Sequence, residues 1–168
     1  FREGHFAGVT TVVTKLFNAC KPHTGIFGRK DAQHFLILRR MAADLNMGLE
    51  VVGMPTIRQP DGLAASSRNV FLTPDQPRQA PRLDEALQLA KKAIEAGERH
   101  PETIKLLIKT HIQTNAAGAK IQYVEVVDTD EIQLVEDLRT EPEVLIALAV
   151  FFGSTRLIDN VFVTIDAI

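Results

Sequence analysis

Asp61-Gly62-Leu63-Ala64-Ala65-Ser66-Ser67-Arg68-Asn69 gathers two hydroxyls, an arginine and an asparagine into one short stretch. Ser66 and Ser67 can donate hydrogen bonds to phosphate oxygens, and Arg68 adds a permanent charge on a planar fork of donors. The stretch follows the apolar run Leu49–Met54, which predicts a buried strand. A strand that runs into such a loop is a polyphosphate clamp at the carboxyl edge of an α/β sheet, or else ordinary turn chemistry. Small residues and Gly62 would let the backbone come close to a ligand. A second loop favours the phosphate alternative. Phe27-Gly28-Arg29-Lys30-Asp31 follows a predicted strand at Thr24–Phe27 and precedes a predicted helix over 32–45. There Gly28 permits close backbone approach and Lys30 can meet phosphate charge. Asp31 can cap the helix or accept from ribose hydroxyls.

The elements that position these loops follow from periodicity. Phe6, Val9, Val12, Val13, Leu16, Phe17 and Cys20 recur at helical spacing, and Pro22 ends the run. Helix, strand, helix and strand then follow through Met54, which implies parallel strands and a right-handed crossover. Both strands are short and mostly apolar, as expected where both faces are covered. Cys20 is expected to be a small core hydrophobe. Composition shifts near Thr73, where Pro74, Pro77 and Pro81 mark a linker. Leu83, Ala86, Leu87, Ala90 and Ile94 predict an amphipathic helix that ends at Gly97. Ile104, Leu107, Ile108 and Ile112 predict a second, with Pro101 at its first turn. Strands are expected at Ile121–Val127, Val144–Phe152 and Arg156–Ile165, the last two as a hairpin around Gly153-Ser154. The fold class expected is α/β: the C-terminal part of a Rossmann-like nucleotide domain over residues 1–73, then a small α+β domain over 74–168.

The chain has 168 residues, of which 45% are hydrophobic and 24% charged, ordinary values for a globular protein. A net charge of −2 offers no basic face for nucleic acid. No apolar run is long enough to span a membrane. One cysteine excludes an intrachain disulfide and a cysteine zinc cluster, and the composition fits a reducing cytoplasm. His5, His23, His100 and His111 show no metal-ligand spacing, so no metal-ligating residue is assigned.

Four motifs in order resemble those of the pantothenate synthetase (pantoate–β-alanine ligase) family. Arg2-Glu3-Gly4-His5-Phe6-Ala7-Gly8-Val9-Thr10-Thr11-Val12-Val13 is similar to its RPGHFxGVxTVV segment. Phe27–Asp31 resembles its FGEKD loop, and Val52–Arg58 with Asp61–Asn69 its VGVPTVRExDGLAMSSRN segment. Thr155-Arg156-Leu157-Ile158-Asp159-Asn160 resembles its terminal TRLIDN. The resemblance implies a nucleotidylyltransferase-type Rossmann domain with a lid-like C-terminal domain. It implies adenylation of pantoate by ATP with release of pyrophosphate, then attack by β-alanine with release of AMP. Magnesium, a homodimer, a cytoplasmic location and a place in the coenzyme A pathway are implied as well.

The resemblance also assigns residues. Gly28 and Asp31 match positions that hold the ribose, and Lys30 the lysine that meets the phosphates. Ser66, Ser67 and Arg68 match the triphosphate clamp, which with Lys30 forms the expected catalytic set. Ile57 and Ala65 fall on the nucleotide side. Val9, Val12 and Val13 match an apolar wall beside pantoate, with Arg2 and His34 on the same side. Arg156, Asp159 and Asn160 are expected to be structural, fixing the terminal hairpin and the domain contact.

Departures from the family pattern are local. Arg29 replaces the usual glutamate and is expected to face water. Ala32 replaces a common tyrosine, Ala65 a usual methionine. His34 replaces the glutamine that hydrogen-bonds pantoate, and adds a group that titrates near neutral pH. Pantoate affinity should then depend on pH in a way that His34→Gln abolishes. The family's HxGH motif and a pantoate-binding glutamine lie upstream of Phe1. The 168 residues are therefore expected to be the C-terminal part of a longer enzyme, inactive alone. Two alternatives stay open: a related adenylyl-transferring enzyme acting on another hydroxy acid, and a truncated, non-catalytic nucleotide-binding module.

Overall fold

The computed structural model describes residues 4–166. Packing divides the chain into two compact units, Phe1–Pro55 and Thr56–Ile168. The expected change of domain lies later, at the prolines after Thr73. In the structure Leu63 is already part of the core of the second unit.

The first unit is α/β in the order α1 (His5–Cys20), β1 (Thr24–Gly28), α2 (Ala32–Asp44) and β2 (Glu50–Met54). β1 and β2 pair in parallel, with Thr24 opposite Glu50 and Gly28 opposite Met54, so both strands end at one edge. Helix α2 buries Phe35, Leu36, Leu38 and Ala42, the face set by its apolar spacing. Helix α1 closes with Lys21 in the left-handed region (φ 47°), whose N–H returns to the Phe17 carbonyl, and Pro22 follows. The Phe17 ring meets Phe27 edge-on at 6.2 Å, and the Thr14 hydroxyl lies 3.1 Å from Met41 Sδ on α2.

Two expectations for this unit fail. No residue of α1 is buried, and Cys20 at its end is exposed, not in a core. Nor are the parallel strands covered on both faces, since Ile26 is 67% exposed. Apolar periodicity specifies that an element has an apolar face and leaves open what covers it.

The second unit is α+β. Helices α3 (Arg82–Glu95) and α4 (Pro101–Asn115) precede an antiparallel sheet of β3 (Ala119–Asp128), β4 (Glu143–Phe152) and β5 (Thr155–Thr164), in that order. Helix α3 buries Leu83, Ala86, Leu87, Ala90 and Ile94, and α4 buries Ile104, Ile108 and Ile112. These meet Val144, Ile146, Leu148, Val150 and Phe152 of β4, with Val124, Val126, Leu157 and Val163 from the flanking strands. Alternation along β4 supplies that face, and Leu145 and Ala149 on the other are buried too. This explains why the central strand reads as one continuous apolar run. Full burial of each such side chain stabilises by about 1.5–3 kcal/mol.

Candidate functional site

In the first unit, the edge where β1 and β2 end carries the Gly28–Asp31 turn. Gly28 has ordinary extended dihedrals (φ −77°, ψ 132°), and a Cβ there would meet nothing within 4 Å. Neither backbone nor packing among the described residues demands glycine at this position. Arg29, Lys30 and Asp31 form one 3-10 turn, in which Lys30 is half-buried and Asp31 exposed. Asp31 occupies the N-cap position of α2 but makes no side-chain capping bond, so of its two expected uses the capping one is not realised.

Arg29 does not simply face water. Its guanidinium lies 5.7 Å from the centroid of Phe35, and Arg39 lies 5.4 Å from the same centroid. His34 is half-buried with its ring 6.1 Å from that of Phe27. Its Nε2 is shielded from solvent and has no hydrogen-bond partner among the described residues. A buried ring nitrogen without a partner is costly unless a ligand or water completes it. On α1, Val9 and Val13 are half-buried and Val12 is 57% exposed. Arg2 lies outside the described residues.

In the second unit, residues 57–65 fold back on themselves. Ala65 N–H donates to the Ile57 carbonyl (2.8 Å) and Gln59 N–H to that of Leu63 (2.8 Å). Gly62 N–H closes the turn on the Gln59 carbonyl, and Asp61 Oδ1 accepts from Leu63 N–H. Gly62 has φ 93°, and a Cβ on it would fall 2.8 Å from Asp84 Oδ2. Its glycine suits the left-handed backbone of the turn, and Asp84 packs close against it. Leu63 and Ala64 are buried, whereas Ile57, Ala65, Ser67 and Arg68 are exposed. Ser66 Oγ accepts from Arg68 N–H (3.2 Å), which leaves its own O–H to donate. Ser67–Phe71 continues as a 3-10 turn, and Asn69 Nδ2 donates back to the Ala64 carbonyl (3.1 Å).

Sequence reading assigned no role to Arg58, which organises this loop. Its Nη1 and Nη2 donate to Asp159 Oδ2 (2.7 Å) and Oδ1 (3.0 Å) on β5. Nη1 also donates to the Gly62 carbonyl (3.0 Å) and lies 3.3 Å from Asp84 Oδ1 on α3. Burial works against the Arg58 charge, but the bond and field of Asp159, with a smaller share from Asp84, hold its pKa above the ordinary value. Burial pushes the Asp159 carboxyl up, against the pull of Arg58. Arg58 and Asp159 are separated by 101 positions, so no local pattern pairs them. The expectation that Asp159 is structural agrees with its 3% exposure.

Among the described residues, no group of three or more His, Cys, Asp or Glu is placed to hold a metal ion. None of the described helices is long and apolar enough to cross a membrane.

The fold is α/β around a short parallel strand pair, followed by an α+β unit. A family model, pantoate-beta-alanine ligase, matches residues 1–162, and the chain belongs to that family. The chain is 53% identical over 165 residues to a pantothenate synthetase of Salinibacter ruber, covering 98% of this chain and 56% of that one. It is 48% identical over 164 residues to that of Acetivibrio thermocellus, covering 98% and 57%. It therefore spans about half the length of the curated relatives it matches. Among solved structures, pantothenate synthetase from Thermus thermophilus superposes with a TM-score of 0.85 at 36% identity, covering 95% of this chain and 56% of that one. Pantoate-beta-alanine ligase from Francisella tularensis, complexed with beta-gamma ATP and beta-alanine, superposes with a TM-score of 0.62 at 31% identity, covering 95% and 51%.

Proposed function

We propose that the chain carries the phosphate-handling part of a pantoate–β-alanine ligase. The observation that carries this is the Ser66–Arg68 turn. Its hydroxyls and guanidinium are presented on a loop anchored by Leu63 and Arg58, within a family match that spans residues 1–162.

In the proposed reaction the pantoate carboxylate attacks the α-phosphorus of ATP. The α–β phosphoanhydride bond breaks, pyrophosphate leaves, and pantoyl adenylate forms. The amine of β-alanine then attacks the acyl carbon, and AMP departs as the acyl C–O bond breaks. Both displacements need positioning and charge neutralisation more than proton transfer, because a carboxylate is already a nucleophile. Lys30 and Arg68 neutralise charge on the phosphates, and Ser66 and Ser67 aim O–H dipoles at their oxygens. Gly28 and Asp31 receive the ribose, with Ile57 and Ala65 beside the nucleotide. His34 donates or accepts at a pantoate oxygen, and Val9, Val12, Val13 and Arg2 complete the pantoate side. The proton lost by the β-alanine amine has no assigned base.

Magnesium enters this account with the triphosphate. It binds through phosphate oxygens and water more than through a protein cage, so no side chain here is assigned to it. The family resemblance supports, further, a cytoplasmic homodimer. Pantoate-dependent exchange of labelled pyrophosphate into ATP, without β-alanine, tests the adenylate directly. It should require pantoate and fall when Arg68→Ala or Lys30→Ala is introduced. Exchange supported equally by other hydroxy acids would favour the related adenylyl-transferring enzyme, because the pantoate-side residue His34 departs from the family pattern.

A further inference from the structure

We propose that Arg58 is the positioning residue of the serine loop: gripped by Asp159 and Asp84, it fixes the base from which Ser66, Ser67 and Arg68 are presented to a triphosphate. The proposal rests on the nucleotide-binding reading of that loop.

One guanidinium gathers three separate segments of the second unit. Asp159 comes from β5, Asp84 from the first turn of α3, and the Gly62 carbonyl from the turn that precedes the serines. The fork satisfies both oxygens of a carboxylate that is 3% exposed. Only a planar, multi-donor cation meets a bidentate carboxylate and a carbonyl at once, and a lysine ammonium does not reproduce that geometry. Gly62 belongs to the same arrangement, since a Cβ on it would fall 2.8 Å from Asp84 Oδ2. On the far side of the turn, Leu63 inserts into the core formed by α3, α4 and the sheet.

The stretch from Ala65 to Arg68 is held from both sides. Ala65 N–H reaches Ile57, Asn69 Nδ2 reaches Ala64, and Ser66 Oγ accepts within its own turn. On its far side Asn69 N–H donates to the Ser66 carbonyl (3.1 Å) and the Thr155 hydroxyl of β5 to the Phe71 carbonyl (3.1 Å), so Arg58 fixes the side of the loop that leads into the serines. Removing the guanidinium would also strand the Asp159 carboxylate in the interior, so loop and strand β5 shift together. Donors that neutralise charge in a displacement lose their effect when misplaced by about 1 Å.

The test uses the product of the complete reading frame. Wild type, Arg58→Lys, Asp84→Asn and a control core variant, Ile112→Val, are compared for Tm, kcat, KM for ATP and KM for pantoate. The Kd of each for α,β-methylene-ATP is measured as well. Arg58→Lys should raise KM for ATP and the analogue Kd by about tenfold or more, with KM for pantoate within about twofold. Asp84→Asn, which keeps the Asp159 bond, should give a smaller rise in the same quantities. Ile112→Val should lower Tm and leave both ATP quantities unchanged. An unchanged analogue Kd in Arg58→Lys, or an equal rise in Ile112→Val, would overturn the proposal. Failure of wild type to turn over ATP with pantoate and β-alanine would instead overturn the ligase reading, and the analogue Kd would still decide the role of Arg58.

Discussion

Gly53 and Phe35 leave no room for a methyl group between them: a Cβ on Gly53 would lie 2.7 Å from Phe35 Cζ. Phe35 is 3% exposed, and its ring has the guanidiniums of Arg29 and Arg39 close by. It cannot swing away cheaply. Gly53→Ala should therefore destabilise the first unit by about 1–3 kcal/mol, the usual cost of overpacking. Urea denaturation followed by far-UV circular dichroism measures it. An unchanged midpoint would mean that Phe35 and Arg29 relax freely.

Gly28→Ala should behave in the opposite way. Its dihedrals suit any residue, and its Cβ would point into open space. Stability should hold or rise by about 0.4–1 kcal/mol through a less flexible unfolded chain. ATP affinity should nevertheless fall, because the methyl would occupy the approach to the ribose. Loss of stability without loss of affinity would assign Gly28 to the fold instead.

His34→Ala should separate the two substrates from the other side. The buried Nε2 has no hydrogen-bond partner among the described residues. If pantoate completes it, KM for pantoate should rise about tenfold, within the range for losing a hydrogen bond in a shielded site, while KM for ATP stays put. Steady-state kinetics with each substrate varied in turn would show it. Equal changes in both would place His34 outside the acid pocket.

Acid should loosen the second unit through two aspartates. Asp137 is held down to about 2, first by the Arg139 side chain and then by its backbone N–H. Asp128 is also lowered: burial opposes its charge, but the N–H groups of Glu131, Gln133, Asp130 and Ile132 together outweigh it. Both folded-state values lie below those of the unfolded chain. Their stabilisation is thus complete above the unfolded value of about 3.9 and is lost as pH falls through the folded one. Urea midpoints taken between about pH 5 and pH 2 should fall for wild type, and the gap to Asp137→Asn should close toward pH 2. A gap that persists at the acid end would show a contribution from Asp137 that does not depend on its charge.

The second unit was largely legible in the sequence. The spacing of Leu83, Ala86, Leu87, Ala90 and Ile94 fixes which face of α3 is buried, and all five are within the core. The hairpin at Gly153-Ser154 followed from two apolar runs with a short break. The first unit was less so. The stripe on α1 reads as a core face, yet Val12, Leu16 and Cys20 are exposed.

Of the candidate site, the motifs gave the residue types and the loops that carry them. Their support was not legible. Arg58 and Asp159 lie 101 positions apart, and only the folded chain brings them together. The proline-rich stretch after Thr73 has the chemistry of a linker, but packing changes hands at Pro55, because Leu63 and Arg58 already belong to the second unit. Gly62 showed the same limit in part, since its neighbour in space is Asp84, a residue outside its local window.

The most direct measurement is release of AMP from ATP and pantoate by the product of the complete reading frame, with and without β-alanine. The ligase account predicts AMP release that requires both pantoate and β-alanine and that Arg68→Ala sharply reduces. AMP release indifferent to β-alanine, or ATP binding with no turnover in the presence of both, would contradict it.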